Sequence, residues 1–313
     1  MNIGGKCGLV VEHVTDRKKR GANLLEFHTD INDFYNKSLG DYREIKDVLK
    51  REKIICHTVH SPMKNSYGGQ CSLSELDPIK RRENFELIMK SAEYANYLCE
   101  IENPIVVIHP SDDFSVLGDT YIKGGIKKNN EIFKNELSNL SKAIKSKYPN
   151  VILGLENTMP FVRDLKTGDV IVHKGFVYPD YMKDINEMNL SNVGYVLDIC
   201  HALATIRFTE MISGGKSDLS LKSYLDASID NLALIHLNNL KDLAENPINH
   251  GTPYKKSVEA DMYILKYLFE YLTLNNYMNY ITIEVLESDY RYGLNYEITN
   301  KAVKEVLGNI KKM

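Results

Sequence analysis

The 313-residue sequence predicts a single (β/α)8 barrel, on two observations. Eight short apolar runs, each of strand length, recur along nearly the whole chain, and segments with apolar residues at helical spacing lie between them. Strand–helix alternation implies a parallel sheet. Eight such units in about 300 residues fit one closed barrel, here residues 1–313 as one domain. The competing fold, a doubly wound open sheet, normally opens on a Gly-rich phosphate loop. The N-terminal "GGKCG" is a weak match and precedes its strand instead of following it.

The runs are "CGLVV" (7–11), "NLLEF" (23–27), "IICHTVH" (54–60), "PIVVIH" (104–109), "VILGLE" (151–156), "VGYVLD" (193–198), "LALIHL" (232–237) and "YITIEVL" (280–286). Helical spacing marks 77–101, where Asp77 reads as an N-cap and Pro78 as the first helical residue, and then 129–148, 218–232, 257–276 and 296–310. After the fifth run, "FVRDLKTGDVIVHKGFVY" (161–178) reads as a β-hairpin lid, with "DLKTGD" as the turn. Loops 61–75 and 110–126 are long, and such loops on a barrel usually serve its active site.

Composition sets broader bounds. A formal net charge of -3 supplies no general electrostatic drive toward nucleic acid. The short basic runs "DRKKR" (16–20) and "KRR" (80–82) read as solvated faces. Five cysteines, an odd number without a CxxC pair, suggest neither a disulfide framework nor a thiolate zinc knot. No apolar run has the length of a signal peptide or a membrane span, so the expected location is cytoplasmic. A homo-oligomer is compatible with the sequence, which does not specify the oligomeric state.

The chemistry collects at the strand ends: His60, His109, Glu156, Asp198, His236 and Glu284. In a barrel these ends share one mouth, the face where active sites lie. Side chains alternate along a strand. If Glu156 points inward, so do Gly154 and Ile152; Asp198 brings Val196 and Gly194; His236 brings Leu234 and Leu232; His109 brings Val107 and Ile105; Glu284 brings Thr282 and Tyr280. Most of these lower residues are small or apolar, as a packed interior requires. Clustered carboxylates repel unless a cation joins them, and this donor set suits Zn²⁺ or Mn²⁺, with Mg²⁺, Co²⁺ and Fe²⁺ as further candidates. His57 has the opposite parity and is expected to face the helices. His28 and Glu26 end the second strand and are candidates to line the pocket. His13 and His173 read as surface or lid residues, and Cys200 as a buried small residue.

The pieces "VHSP" (59–62), "VVIHP" (106–110), "GLENT" (154–158), "LDICHA" (197–202), "IHLNN" (235–239) and "ITIEV" (281–285) together resemble the xylose isomerase-like TIM-barrel superfamily, in order and spacing. That superfamily holds sugar isomerases and epimerases and the endonuclease IV-type AP endonucleases. The isomerase branch implies one divalent ion on Glu156, Asp198, His236 and Glu284, with the two glutamates exchanging a substrate proton and His201 contacting substrate. The endonuclease branch implies additional zinc ligands at His60, His109, His201 and His250. Its DxH motif is broken here, because Ile248 stands where the Asp falls. Three expectations follow. The first is a metal-dependent isomerase or epimerase of a small sugar or sugar phosphate, with His60, His109 and His201 toward substrate. The second is an AP endonuclease-like zinc phosphodiesterase, and the third a non-catalytic metal- or sugar-binding barrel.

Overall fold

The computed structural model describes residues 1–110, 114–115, 122–163, 170–173, 176–240 and 250–310, with side chains described for 1–110, 131–161, 176–240 and 251–310. Eight strands close into a barrel: β1 (Asn2–Gly8), β2 (Leu24–His28), β3 (Ile55–His60), β4 (Ile105–Ile108), β5 (Ile152–Glu156), β6 (Val193–Asp198), β7 (Leu232–Leu237) and β8 (Tyr280–Ile283). Each pairs in parallel with its neighbours in the chain, and β1 pairs with β8 to close the ring. Helices fill the crossovers. Asp77 caps the helix Pro78–Leu98 by accepting from the Ile79 and Lys80 amides, as the sequence predicts.

Two cores result. Outward residues such as Leu153, Leu155, Leu197 and Ile235 pack beneath the helices. When fully buried, each contributes roughly 1.5–3 kcal/mol. A smaller inner cluster of Ile105, Val107, Val196 and Leu234 fills the barrel, with Ile152, Ala233 and Tyr280 against it. This is the layer that the alternation predicts below the polar strand ends.

Three expectations need correction. The first strand begins at Asn2, five residues before "CGLVV", and Val11 already starts the helix Val11–Lys19. Its glycines are there for closeness. A Cβ on Gly4 would sit 2.6 Å from the Leu24 carbonyl oxygen, and one on Gly5 would sit 2.7 Å from the Tyr296 ring. Close packing thus removes the apolar signal that would have marked the strand. Second, the β6–β7 register shifts between Leu232 and Leu234, so Leu232 joins the outer core and Ala233 the inner one. Third, the β2–β3 register shifts where Leu25 pairs with Cys56 and Glu26 with Thr58. This bulge turns His57 into the barrel, where it stacks on Tyr280 at 4.6 Å and lies 3.4 Å from Thr282 Oγ1.

Strands Phe161–Arg163 and Val170–His173 pair antiparallel, and the latter also pairs with Phe114–Ser115. The segment expected to be a hairpin therefore has paired arms. Its turn, 164–169, lies outside the described residues, as do 111–113 and 116–121 of the loop 110–126. No helix among the described residues is long and apolar enough to cross a membrane.

Candidate metal and substrate site

The site is built where the strands end. A cavity of about 480 Å³ opens at the barrel mouth, lined among others by Lys6, His28, His60, His109, Glu156 and His201. Glu156 is buried at its centre. His60 Nε2 lies 3.2 Å and His109 Nε2 3.3 Å from Glu156 Oε2, while His236 Nδ1 lies 3.1 Å from Oε1. Glu284 Oε2 is 2.6 Å from the same His236 nitrogen. Asp198 joins from β6, which pairs with β7 so that Asp198 and His236 are register partners.

Donor atoms of Glu156, Asp198, His236 and Glu284 all lie within 4.8 Å of one another. Opposed ligands on bonds of about 2.1 Å stand about 4.2 Å apart, so this set matches the span of a single ion. A second set, His60, His109 and Glu156, meets the same spacing and shares Glu156.

Neighbouring groups fix these donors. Asn157 ties down the Asp198 backbone at both ends, accepting from its amide and donating to its carbonyl. Asp198 also caps the helix Ile199–Ile212 through the His201 amide, and Asn238 Nδ2 donates to its other oxygen. His201 Nδ1 faces the Asn157 carbonyl at 2.7 Å. A carbonyl only accepts, so Nδ1 carries that proton. His236 Nε2 meets Glu26 Oε2 at 3.0 Å, leaving Nδ1 toward Glu156 and Glu284. A carboxylate behind an imidazole is the common support of a metal-ligating histidine. Lys6 Nζ bridges Glu284 Oε1 at 2.7 Å and Glu26 Oε1 at 3.2 Å.

Burial opposes charge throughout, but local partners outweigh it for most groups. Glu156 is held well below the ordinary carboxylate range by His236, with His109 beside it. Glu284 is held there by His236 and Lys6. His236 is pushed well above the usual imidazole value by Glu26, Glu284 and Glu156. Asp198 moves the other way: burial raises it, helped by Glu156 and Glu284 and only partly offset by His201 and His236. Burial, followed by Lys6, lowers His60 and thus favours its neutral form.

Two contacts bear on whether a cation fits. His60 Nδ1 lies 2.7 Å from the Ser61 carbonyl and so carries the proton. Neutral His60 then turns the lone pair of Nε2 toward Glu156 Oε2, at 3.2 Å. Two acceptors at that distance need a positive centre. In addition, buried Glu284 Oε2 has no hydrogen-bond partner despite its 2.6 Å approach to His236 Nδ1. The donor set therefore suits a divalent cation.

Seven of the eight expected site residues gather here. For the eighth, His250, the backbone lies in the short strand His250–Thr252, and its side chain is outside the described residues, as is Ile248. His28 lines the cavity, and Glu26 lies deeper, behind His236. His13 also lines the cavity instead of lying on the surface or a lid. Lys6 was missed, because the first strand was placed too late. Asn157 and Asn238 sit one residue after Glu156 and two after His236, and strand parity gives an Asn no distinguishing signal.

A family model described as xylose isomerase-like TIM barrel matches residues 15–312. The chain belongs to the xylose isomerase-like TIM-barrel family. Solved structures with the same fold include 3-keto-D-glucoside 4-epimerase from E. coli, at 13% identity and TM-score 0.65, with 100% of each chain covered. An L-ribulose 3-epimerase matches at 11% identity and TM-score 0.66, covering 99% of this chain and 97% of that one. An AP endonuclease, family 2, from Brucella melitensis matches at 12% identity and TM-score 0.63, with 98% of each covered. At such identities these likenesses concern the family's fold alone. No curated protein matches the sequence.

Proposed function

We propose that this chain is a divalent-metal-dependent isomerase or epimerase of a small sugar or sugar phosphate. The reading rests on the convergence of Glu156, Asp198, His236 and Glu284 beneath a cavity of substrate size. These four side chains would hold the ion, with Zn²⁺ and Mn²⁺ as the leading candidates. When bound, it supplies Lewis-acid polarisation of a carbonyl and its neighbouring hydroxyl. Glu156 and Glu284 take and return the proton on the substrate carbon between them. His236 and Lys6 keep Glu284 ionised at rest, so its carboxylate is free to accept a proton. His201, with Nδ1 committed to Asn157, lines the cavity and contacts substrate, and His60 and His109 complete the wall.

The test is proton exchange. In D₂O with Mn²⁺, a substrate drawn from a panel of ketoses and their phosphates should gain deuterium at the carbon next to the carbonyl, read by NMR. Glu156→Gln should abolish the gain. Undiminished turnover by this variant at full metal content overturns the two-base mechanism.

A second reading has its own observation, the group formed by His60, His109 and Glu156. The carboxylates of Glu26, Glu156, Asp198 and Glu284 gather here, and among the described residues one ammonium, Lys6, pairs with them through Glu26 and Glu284. One divalent ion would leave the centre with one net negative charge, which favours a neutral polyol. Two ions would leave one net positive charge, which favours a phosphodiester, as in an endonuclease IV-like enzyme. Metal stoichiometry, together with chelator-sensitive nicking of an abasic-site duplex, separates the two. One ion per chain and no nicking retain the isomerase reading.

A further inference from the structure

Away from the cavity, Cys56 near the start of β3 and Cys99 at the end of the helix Pro78–Leu98 are both buried, with their sulfurs 2.7 Å apart. Unbonded heavy atoms settle at about 3.5–4.0 Å, so these two lie inside van der Waals contact. Cys56 lies in the strand and Cys99 caps the helix of the same strand–helix unit, 43 positions apart in sequence. Cys56 Sγ also lies 3.7 Å from the Thr58 carbonyl, and Cys71 Sγ lies 3.7 Å from the Asn84 carbonyl. The odd cysteine count and the lack of a CxxC hide this pair in the sequence.

We propose that Cys56 and Cys99 are a reversible covalent site, closing an intramolecular disulfide by exchange with a small-molecule disulfide. One thiol, as thiolate, attacks the external disulfide and releases one small thiol. The second thiolate then attacks the mixed disulfide and releases the other. The S–S bond forms, both protons leave, and two electrons reduce the external disulfide to two thiols. Burial and the neighbouring Cys56 push the Cys99 thiol well above its ordinary value, so thiolate is scarce in the closed fold. Exchange therefore proceeds through opening of the helix end next to the exposed Glu100, and is slow in the native protein and fast during refolding. Cys56 adjoins the bulge at His57, on the strand that ends in His60. The bond ties that strand to its own helix.

The test counts thiols on the full chain. Protein is unfolded and refolded in oxidised glutathione, quenched with acid, and titrated with Ellman's reagent in guanidinium. The reduced protein gives five thiols and the oxidised protein three, with a Cys56–Cys99 peptide in the non-reduced digest that dithiothreitol removes. Cys99→Ser, which forms no bridged peptide and retains at most a glutathione adduct on Cys56, and a melting temperature a few degrees higher for the oxidised wild type complete the expected result. Five thiols after oxidative refolding overturn the proposal. So does a bridge between another pair, or glutathione left on either cysteine without closure.

Discussion

Glu26 is buried below the cavity, directly behind His236. Its carboxylate is fully buried, with one oxygen 3.0 Å from His236 Nε2 and the other 3.2 Å from Lys6 Nζ. Glu26→Gln keeps the shape and an oxygen to accept from Nε2, but removes the charge. At an effective dielectric near 20, a unit pair at 3 Å is worth about 5 kcal/mol, which bounds the effect, since the hydrogen bond survives. Losing the support behind a ligating histidine typically costs about 10–100-fold in metal affinity, or about 1.4–2.7 kcal/mol. Titration with Mn²⁺ at pH 8, by calorimetry, should show that weakening in a variant with wild-type circular dichroism. The pH profile adds a signature. His236 is pushed upward, and Glu26 is the strongest of the groups overcoming its burial, so protons compete with the ion at Nδ1. The variant holds that proton less tightly, so its deficit should shrink as pH falls. An affinity at pH 8 equal to wild type, in folded protein, refutes the assigned role of Glu26.

Other consequences follow from the same geometry. Lys6→Met leaves Glu26 and Glu284 without their ammonium; the protein should melt earlier without added metal and gain more from Mn²⁺ than wild type, by scanning fluorimetry. Asn157→Ala frees both ends of the Asp198 peptide, and chelator titration should show weaker metal binding at nearly unchanged helix content. Burial lowers His57 from 6.5 to about 4. The unfolded chain therefore binds this proton first, and the stabilising contribution, full above pH 6.5, is lost progressively down to about pH 4. Of this, about 2 kcal/mol disappears between pH 6.5 and 5. Urea unfolding of His57→Gln should lack that part of the wild-type pH dependence; equal slopes for the two proteins refute the assignment.

The barrel was legible because seven of its strands carry β-branched or leucine-rich runs with a polar residue at or near the end. Period two then placed Glu156, Asp198 and His236 at one mouth, and Val107, Val196 and Leu234 beneath them. Legibility failed where packing replaces pattern. Gly4 and Gly5 are selected by the approach of Leu24 and Tyr296, so β1 reads as a loop and Lys6 disappears with it. At His57 and Leu232 a bulge inverts the parity on which the reading depends, and a pairing irregularity leaves no mark on a single strand's sequence. Glu26 was visible as a strand-end acid, but its place behind His236 depends on strands 210 residues apart in sequence.

The seam between β1 and β8 has a consequence for synthesis of the chain. Lys6 and Glu284 face each other across that seam, 278 positions apart. Seven of the barrel's strands can align while the ribosome is still at work, yet the Lys6–Glu284 pair has to wait for β8 to emerge. A nascent chain stalled before residue 280 already holds Lys6, Glu26 and three of the four proposed ligands, but lacks the strand that closes the ring. Capture of an ion by the full proposed set of four then waits for the last of the barrel's strands.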